Sequence, residues 1–123
     1  DYQLNVQIAN NYFDIGDYNN AISHYQKALS IKGNDPNVLI DLGVCYFNLN
    51  QPDKALQYVR EALEISPDHL QGLFNAGIIH YNLGNYESAI AMWERLVSTH
   101  RNTPEAERAR QFIEDVKQQL NNS

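Results

Sequence analysis

The chain is short of several things, and each shortage excludes something. It has one cysteine, Cys45, so no internal disulfide is available and thiol content says nothing of compartment. No apolar run approaches the roughly 20 residues of a membrane span, and none has the form of a signal peptide, so direct membrane insertion is not expected. Cations are few: Lys and Arg number 9 against 15 Asp and Glu, for a formal net charge of −6. Nucleic acid and anionic membranes both need a basic face, and neither is an expected partner. There is no Gly-rich phosphate loop, nucleophile elbow or paired-carboxylate motif. His24, His69, His80 and His100 show no pairing at three or four residues, so no metal, no cofactor and no enzyme activity are expected. Nothing alternates with period two over a strand length, which excludes a sheet.

What remains is an apolar pattern of helical spacing. At 123 residues, 43% hydrophobic and 20% charged, the chain reads as one soluble domain with a modest core. It begins at Asp1 rather than Met and reads as an excised fragment, so a choice between cytoplasm and periplasm stays open.

The pattern repeats every 34 residues. Ala21, Ala55 and Ala89 keep that interval, as do Ala9, Gly43 and Gly77, then Tyr12, Tyr46 and His80, then Phe13, Phe47 and Tyr81. The segment 36–69 has a copy on each side and so two faces to bury. The spacing predicts helix pairs over 2–15 and 18–31, 36–49 and 52–65, and 69–83 and 86–99, with a last helix over 104–120 and a frayed tail at 121–123. Gly16 and Gly84 suit the left-handed residue beyond a helix end. Pro36, Pro52, Pro67 and Pro104 all fall at helix starts or in turns, and Asp35 and Thr103 stand as N-caps before two of them.

These residues resemble the tetratricopeptide repeat (TPR) family. The family's Leu-Gly pair is matched by Leu42-Gly43, Ala76-Gly77 and Ile8-Ala9, its turn by Gly16-Asp17-Tyr18 and Gly84-Asn85-Tyr86, and its second-helix alanine by Ala21, Ala55 and Ala89. The middle repeat departs with Asn50-Gln51-Pro52, and His80 departs from the aromatic position. The resemblance implies an all-α, right-handed α-solenoid of seven helices: repeats 2–35, 36–69 and 70–103, then a cap helix over 104–120, within one domain, 1–123. Ala9, Gly43 and Gly77 would be close-packing positions, facing Ala21, Ala55 and Ala89.

The resemblance also implies a non-catalytic scaffold that binds a peptide along the concave face of its first helices. Carried over, that face comprises Val6, Asn10, Phe13 and Asp14, then Ile40, Asp41, Val44, Phe47 and Asn48, then Phe74, Asn75, Ile78, Tyr81 and Asn82. Arg108, Phe112 and Asp115 of the cap would close one end. The carboxylate clamp of some chaperone-binding relatives falls on Val6, Asn10, Asp41, Gln71 and Asn75, of which Asn10 alone matches; an acidic C-terminal tail is therefore not the expected ligand. Val6, Ile40, Val44, Phe74 and Ile78 form an apolar strip expected to be open to solvent. Phe13, Phe47 and Tyr81 stand either in that groove or partly buried between adjacent inner helices. Asn10, Asn48, Asn75 and Asn82 supply neutral hydrogen-bonding groups. The expected partner is an apolar or amphipathic peptide. The alternative is a homo-oligomer built through the uncovered first helix, at Tyr2, Leu4 and Tyr12. Cys45 is expected to be a buried small hydrophobe, His80 a satisfied buried histidine, and Trp93 a core residue. The last repeat and cap are similar to bacterial repeat proteins of envelope assembly and cytochrome maturation, which implies a bacterial source.

Overall fold

The computed structural model describes residues 1–122, which form seven helices and no strand. They are α1 (Tyr2–Asp14), α2 (Tyr18–Ile31), α3 (Pro36–Asn48), α4 (Pro52–Ile65), α5 (Leu70–Asn82), α6 (Tyr86–Thr99) and α7 (Pro104–Asn121). Each agrees with its expected span to within a residue or so. Asn121 still belongs to α7 and Asn122 caps it; Ser123, the end of the expected frayed tail, lies outside the described residues.

The turn within each helix pair is the same device three times. Gly16, Asn50 and Gly84 have φ of 79°, 63° and 81°. In each turn the left-handed residue donates its N–H to the carbonyl three back (Phe13, Phe47, Tyr81), and the next residue donates to the carbonyl five back (Tyr12, Tyr46, His80). This is the Schellman pattern, which satisfies the orphan carbonyls of a helix end. The middle repeat lacks the glycine, and asparagine, the side chain most tolerant of that region, takes its place. Side-chain caps start the helices at Asp1, Asp17, Asp35, His69 and Thr103, each accepting a backbone N–H.

The helices group into two compact units, residues 1–66 and residues from 67 on. In the first, α1 packs on α2, α2 on α3 and α3 on α4. Ala9, Ala21, Tyr25, Gly43, Ala55 and Val59 are buried along these seams. A Cβ on Gly43 would lie 2.8 Å from Cγ2 of Val59 and 3.0 Å from the Ala55 carbonyl, so α3 meets α4 almost backbone to backbone. Gln26 donates to the Tyr46 hydroxyl at 3.2 Å, and the Tyr46 ring stacks on Tyr58 with centroids 5.5 Å apart. At the edge of this unit Tyr2 donates its hydroxyl to Asp35, while Lys32 sits 5.5 Å over the Tyr2 ring. Burial, then the hydrogen bond and charge of Asp35, push the Tyr2 hydroxyl up to about 12.

In the second unit α5 and α6 pair, and α7 packs on both. The notch at Gly77 is filled by Trp93: a Cβ there would lie 2.0 Å from Nε1 of the indole. The Trp93 N–H donates to the Phe74 carbonyl at 3.3 Å. Trp93 is therefore the core residue that was expected, and it stands nearest Gly77, where Ala89 was expected; Ala89 is itself fully buried. Two bonds tie α5 to α7 near their ends, Gln71 Nε2 to Glu105 at 2.9 Å and the Tyr81 hydroxyl to Gln119 at 3.1 Å. Asp68 ties the entry of α5 to α6, accepting from Arg95 on its carboxylate and from His100 Nε2 on its carbonyl, each at 2.6 Å.

Candidate functional site

In the first unit, α1 carries Val6, Asn10 and Phe13, and α3 carries Ile40, Asp41, Val44, Phe47 and Asn48. Val6, Phe13, Asp41, Val44 and Phe47 are half-buried, while Asn10 and Asn48 are exposed. Ile40 is not open: it is 2% exposed and belongs to a core cluster with Leu39 and Ala62, flanked by Leu29, Val44 and Tyr58. The expectation of an exposed strip fails at this residue. The Asn10 side-chain Oδ1 accepts from the Tyr25 hydroxyl at 2.5 Å, and the Asn48 side-chain amide donates back to Val44 O of its own helix at 2.9 Å.

Asp41 is the electrostatic centre of this unit. Burial, and then repulsion by Asp35 and Asp14, raise its carboxyl to about 6. Burial likewise pushes the Cys45 thiol up to about 12, the Asp41 charge adding to it, so the nucleophilic thiolate does not form near neutrality. Burial and then the charge of Asp41 hold the Tyr25 hydroxyl well above the ordinary tyrosine value. Cys45 is fully buried, as expected of a small hydrophobe.

In the second unit, α5 carries Phe74, Asn75, Ile78, Tyr81 and Asn82. Phe74 is 6% exposed. The Phe112 ring of α7 stacks on it with centroids 6.0 Å apart, and the Arg108 guanidinium lies 5.0 Å over its face. The expected opening at Phe74 is thus filled by the cap helix. The Asn75 amide donates to Gln71 O at 2.9 Å within its helix. Ile78 is half-buried and Tyr81 is 38% exposed. The Tyr81 ring packs on Tyr86 at 5.3 Å and the Phe13 ring on Tyr18 at 5.8 Å. Each of these two rings therefore leans on the second helix of its own pair, where adjacent inner helices were one expected partner.

Below Tyr81 an open cavity of about 320 Å³ lies among α5, α6 and α7. Ile78, Trp93, Phe112 and Val116 wall it, with Tyr81, Asp115 and Gln119 at its rim. Sequence reading names Ile78, Tyr81, Phe112 and Asp115 as site positions, gives Val116 only as part of the apolar stripe of the last helix and Trp93 only as a packing residue, and misses Gln119. The spacing of Val116 and Gln119 from Phe112, at four and seven residues, is the signal that α7 turns one continuous face toward α5.

The remaining candidates are structural. His80 is buried, and its Nδ1 lies 3.4 Å from the Asn85 amide. His69 caps α5 through Nδ1, 3.2 Å from the Gly72 N–H. Among the described residues no group of three or more His, Cys, Asp or Glu stands close enough to hold a metal ion. None of the described helices is long and apolar enough to cross a membrane.

Comparison with known proteins places this geometry. No curated protein matches the sequence. Among solved structures, the first TPR of Spaghetti (RPAP3) bound to the HSP90 peptide SRMEEVD superposes with a TM-score of 0.89 at 22% identity, covering 97% of this chain and 92% of that one. The Yersinia enterocolitica type III secretion chaperone SycD, in complex with a peptide of the translocator YopD, gives 0.89 at 19% identity, covering 96% and 93%. The Sgt2 TPR domain from Aspergillus fumigatus gives 0.87 at 20%, covering 98% and 79%. At these identities the likeness is one of fold, and the fold is the all-α TPR one. A family model, the middle TPR-like domain of cilia and flagella-associated protein 70, matches residues 6–118, and the chain belongs to that TPR-like family.

Proposed function

We propose that this chain is a non-catalytic protein-interaction scaffold that binds an apolar or amphipathic peptide segment at the inner positions of its first helices, those of α1 and α3 in the first unit and those of α5 in the second, each unit offering its own apolar surface. The observation that carries the reading is the recurrence of Phe13, Phe47 and Tyr81, all partly open, at one position of each first helix. Half-exposed Val6, Val44 and Ile78 stand beside them. Phe13 and Tyr81 each rest on the second helix of their own pair and still keep part of the ring open to solvent, which leaves apolar surface for a ligand. Two solved structures of the same fold hold peptides, which supports the class of ligand. Its chemistry differs here: with Asp41 and Gln71 at two clamp positions and a net charge of −6, an acidic tail finds no cationic receptor.

The test is selection of peptides from a random displayed library, then calorimetry on the winners. The double variant Phe47→Ala with Ile78→Ala is expected to keep its helical circular dichroism and weaken capture tenfold or more, in line with two interface hot spots of about 1–2 kcal/mol each. Equal binding by wild type and double variant rejects the reading.

One observation favours the alternative, self-assembly through α1: Leu4 is 53% exposed on that helix. Tyr2 and Tyr12 do not share its freedom, since Tyr2 bonds Asp35 and Tyr12 stacks on His24 at 5.8 Å. Light scattering over a hundredfold range of concentration separates the two readings. A constant monomer mass removes self-assembly.

A further inference from the structure

We infer that the cavity among α5, α6 and α7 is an anchor pocket for one bulky apolar side chain of a bound peptide whose next residue is a cation. The inference rests on the peptide-binding reading above and adds the ligand's chemistry at one end. At about 320 Å³ the space stands at the small end of ligand pockets, enough for one large side chain. Its walls present carbon. The one polar atom of the Trp93 indole is committed to the Phe74 carbonyl, so that ring offers the cavity only its apolar surface. An unfilled apolar recess open to water gains from any apolar group that displaces the water.

The rim sets what flanks that group. The Tyr81 hydroxyl is spent on Gln119 at 3.1 Å. Asp115 accepts the Gln111 amide on Oδ1 at 3.0 Å. Asp115 is exposed and, among the described residues, is the sole charged residue of the lining, with no Lys or Arg beside it there. A cation beside the anchoring side chain meets this carboxylate, whereas a carboxylate at that place is repelled by it and by the net charge of −6.

The chain reports on the pocket itself, because Trp93 is the single tryptophan and gives one indole N–H resonance. The probes are blocked tetrapeptides, acetyl-Ala-Phe-Arg-Ala-amide, its Phe-Glu counterpart and its Gly-Arg counterpart, titrated into isotope-labelled protein. The Phe-Arg peptide is expected to shift the indole resonance and the Ile78 and Val116 methyls, saturably, about fivefold more tightly than Phe-Glu. The Gly-Arg peptide is expected to leave them unmoved. Asp115→Asn, an exposed change that keeps the fold, should erase the preference for Arg over Glu. Gln119→Phe, also at an exposed position, should cover the mouth and abolish both titrations. Equal affinity for Phe-Arg and Phe-Glu overturns the inference, as does an indole resonance that moves on dilution alone, which would mark a second copy of the chain as the occupant. If library-selected peptides bind wild type and Gln119→Phe alike, the anchor pocket falls and the wider reading stands. If no selected peptide binds at all, both fall.

Discussion

Gly77→Ala adds one methyl group at the tightest place in the second unit. The new Cβ would lie 2.0 Å from Nε1, 2.4 Å from Cε2 and 2.5 Å from Cδ1 of Trp93. All three atoms belong to one rigid ring, so no single torsion relieves the clash; the indole must withdraw by about an ångström or more to reach ordinary contact. Withdrawal breaks its 3.3 Å hydrogen bond to Phe74, whose carbonyl keeps its place in the α5 helix ladder, and leaves the buried indole N–H without an acceptor. Overpacking costs about 1–3 kcal/mol, and the stranded group about 1–3 kcal/mol. Replacing a mid-helix glycine returns about 1 kcal/mol of helix propensity. The net is a loss of about 3 kcal/mol, or a fall in Tm of about 10 °C for a domain of this size. Urea unfolding followed by circular dichroism measures the loss, and the Trp93 fluorescence maximum reports the displaced ring. Gly43→Ala is the internal control: it meets a rotatable Val59 methyl and the Ala55 carbonyl at 2.8 and 3.0 Å, and is expected to cost less. Equal stability of Gly77→Ala and wild type, with an unmoved indole, refutes the reasoning.

The remaining predictions are briefer. Asp41 is raised from 3.8 to about 6 in the folded state, so its contribution is fully present below pH 4 and is lost as pH rises through 6. At pH 8 the buried ionised carboxylate costs up to about 3 kcal/mol. Asp41→Asn should therefore stabilise the chain at pH 8 and not at pH 4, and a pH-independent difference between the unfolding free energies of variant and wild type would count against it. Gly84→Ala has open space around its Cβ but a φ of 81°, and should cost about 1–2 kcal/mol by strain alone in the same urea assay. Phe74→Ala should lower stability by about 3–5 kcal/mol, because the ring is core beneath Phe112 and Arg108. A thermal melt near wild type would return Phe74 to the open face.

What the sequence made legible is what the 34-residue period carries. Helix spans follow from apolar spacing and caps, and the turn at Gly16 and Gly84 foretold the left-handed geometry that Asn50 also adopts. Small residues at 9, 43 and 77 marked close approach, because glycine inside a helix needs a packing reason. The period says nothing of α7, which repeats nothing. Hence Phe74 reads as open until Phe112 and Arg108 are seen against it, and the cavity beside Tyr81 and Gln119, 38 residues apart, has no sequence signature. Asp41 illustrates a second limit. Its position marks it as a surface residue of α3, yet its titration is set by its burial and by carboxylates 27 and 6 residues away at Asp14 and Asp35. Non-local distances of that kind come only with the packed chain.

Chemical-shift mapping with a library-selected peptide tests the peptide-binding proposal most directly. Saturable shifts are predicted at Asn10, Val44, Phe47, Ile78 and Tyr81, with the exposed residues of α2 and α4 unmoved. Shifts centred on α2 and α4, or no saturable binding by any selected peptide, would contradict it.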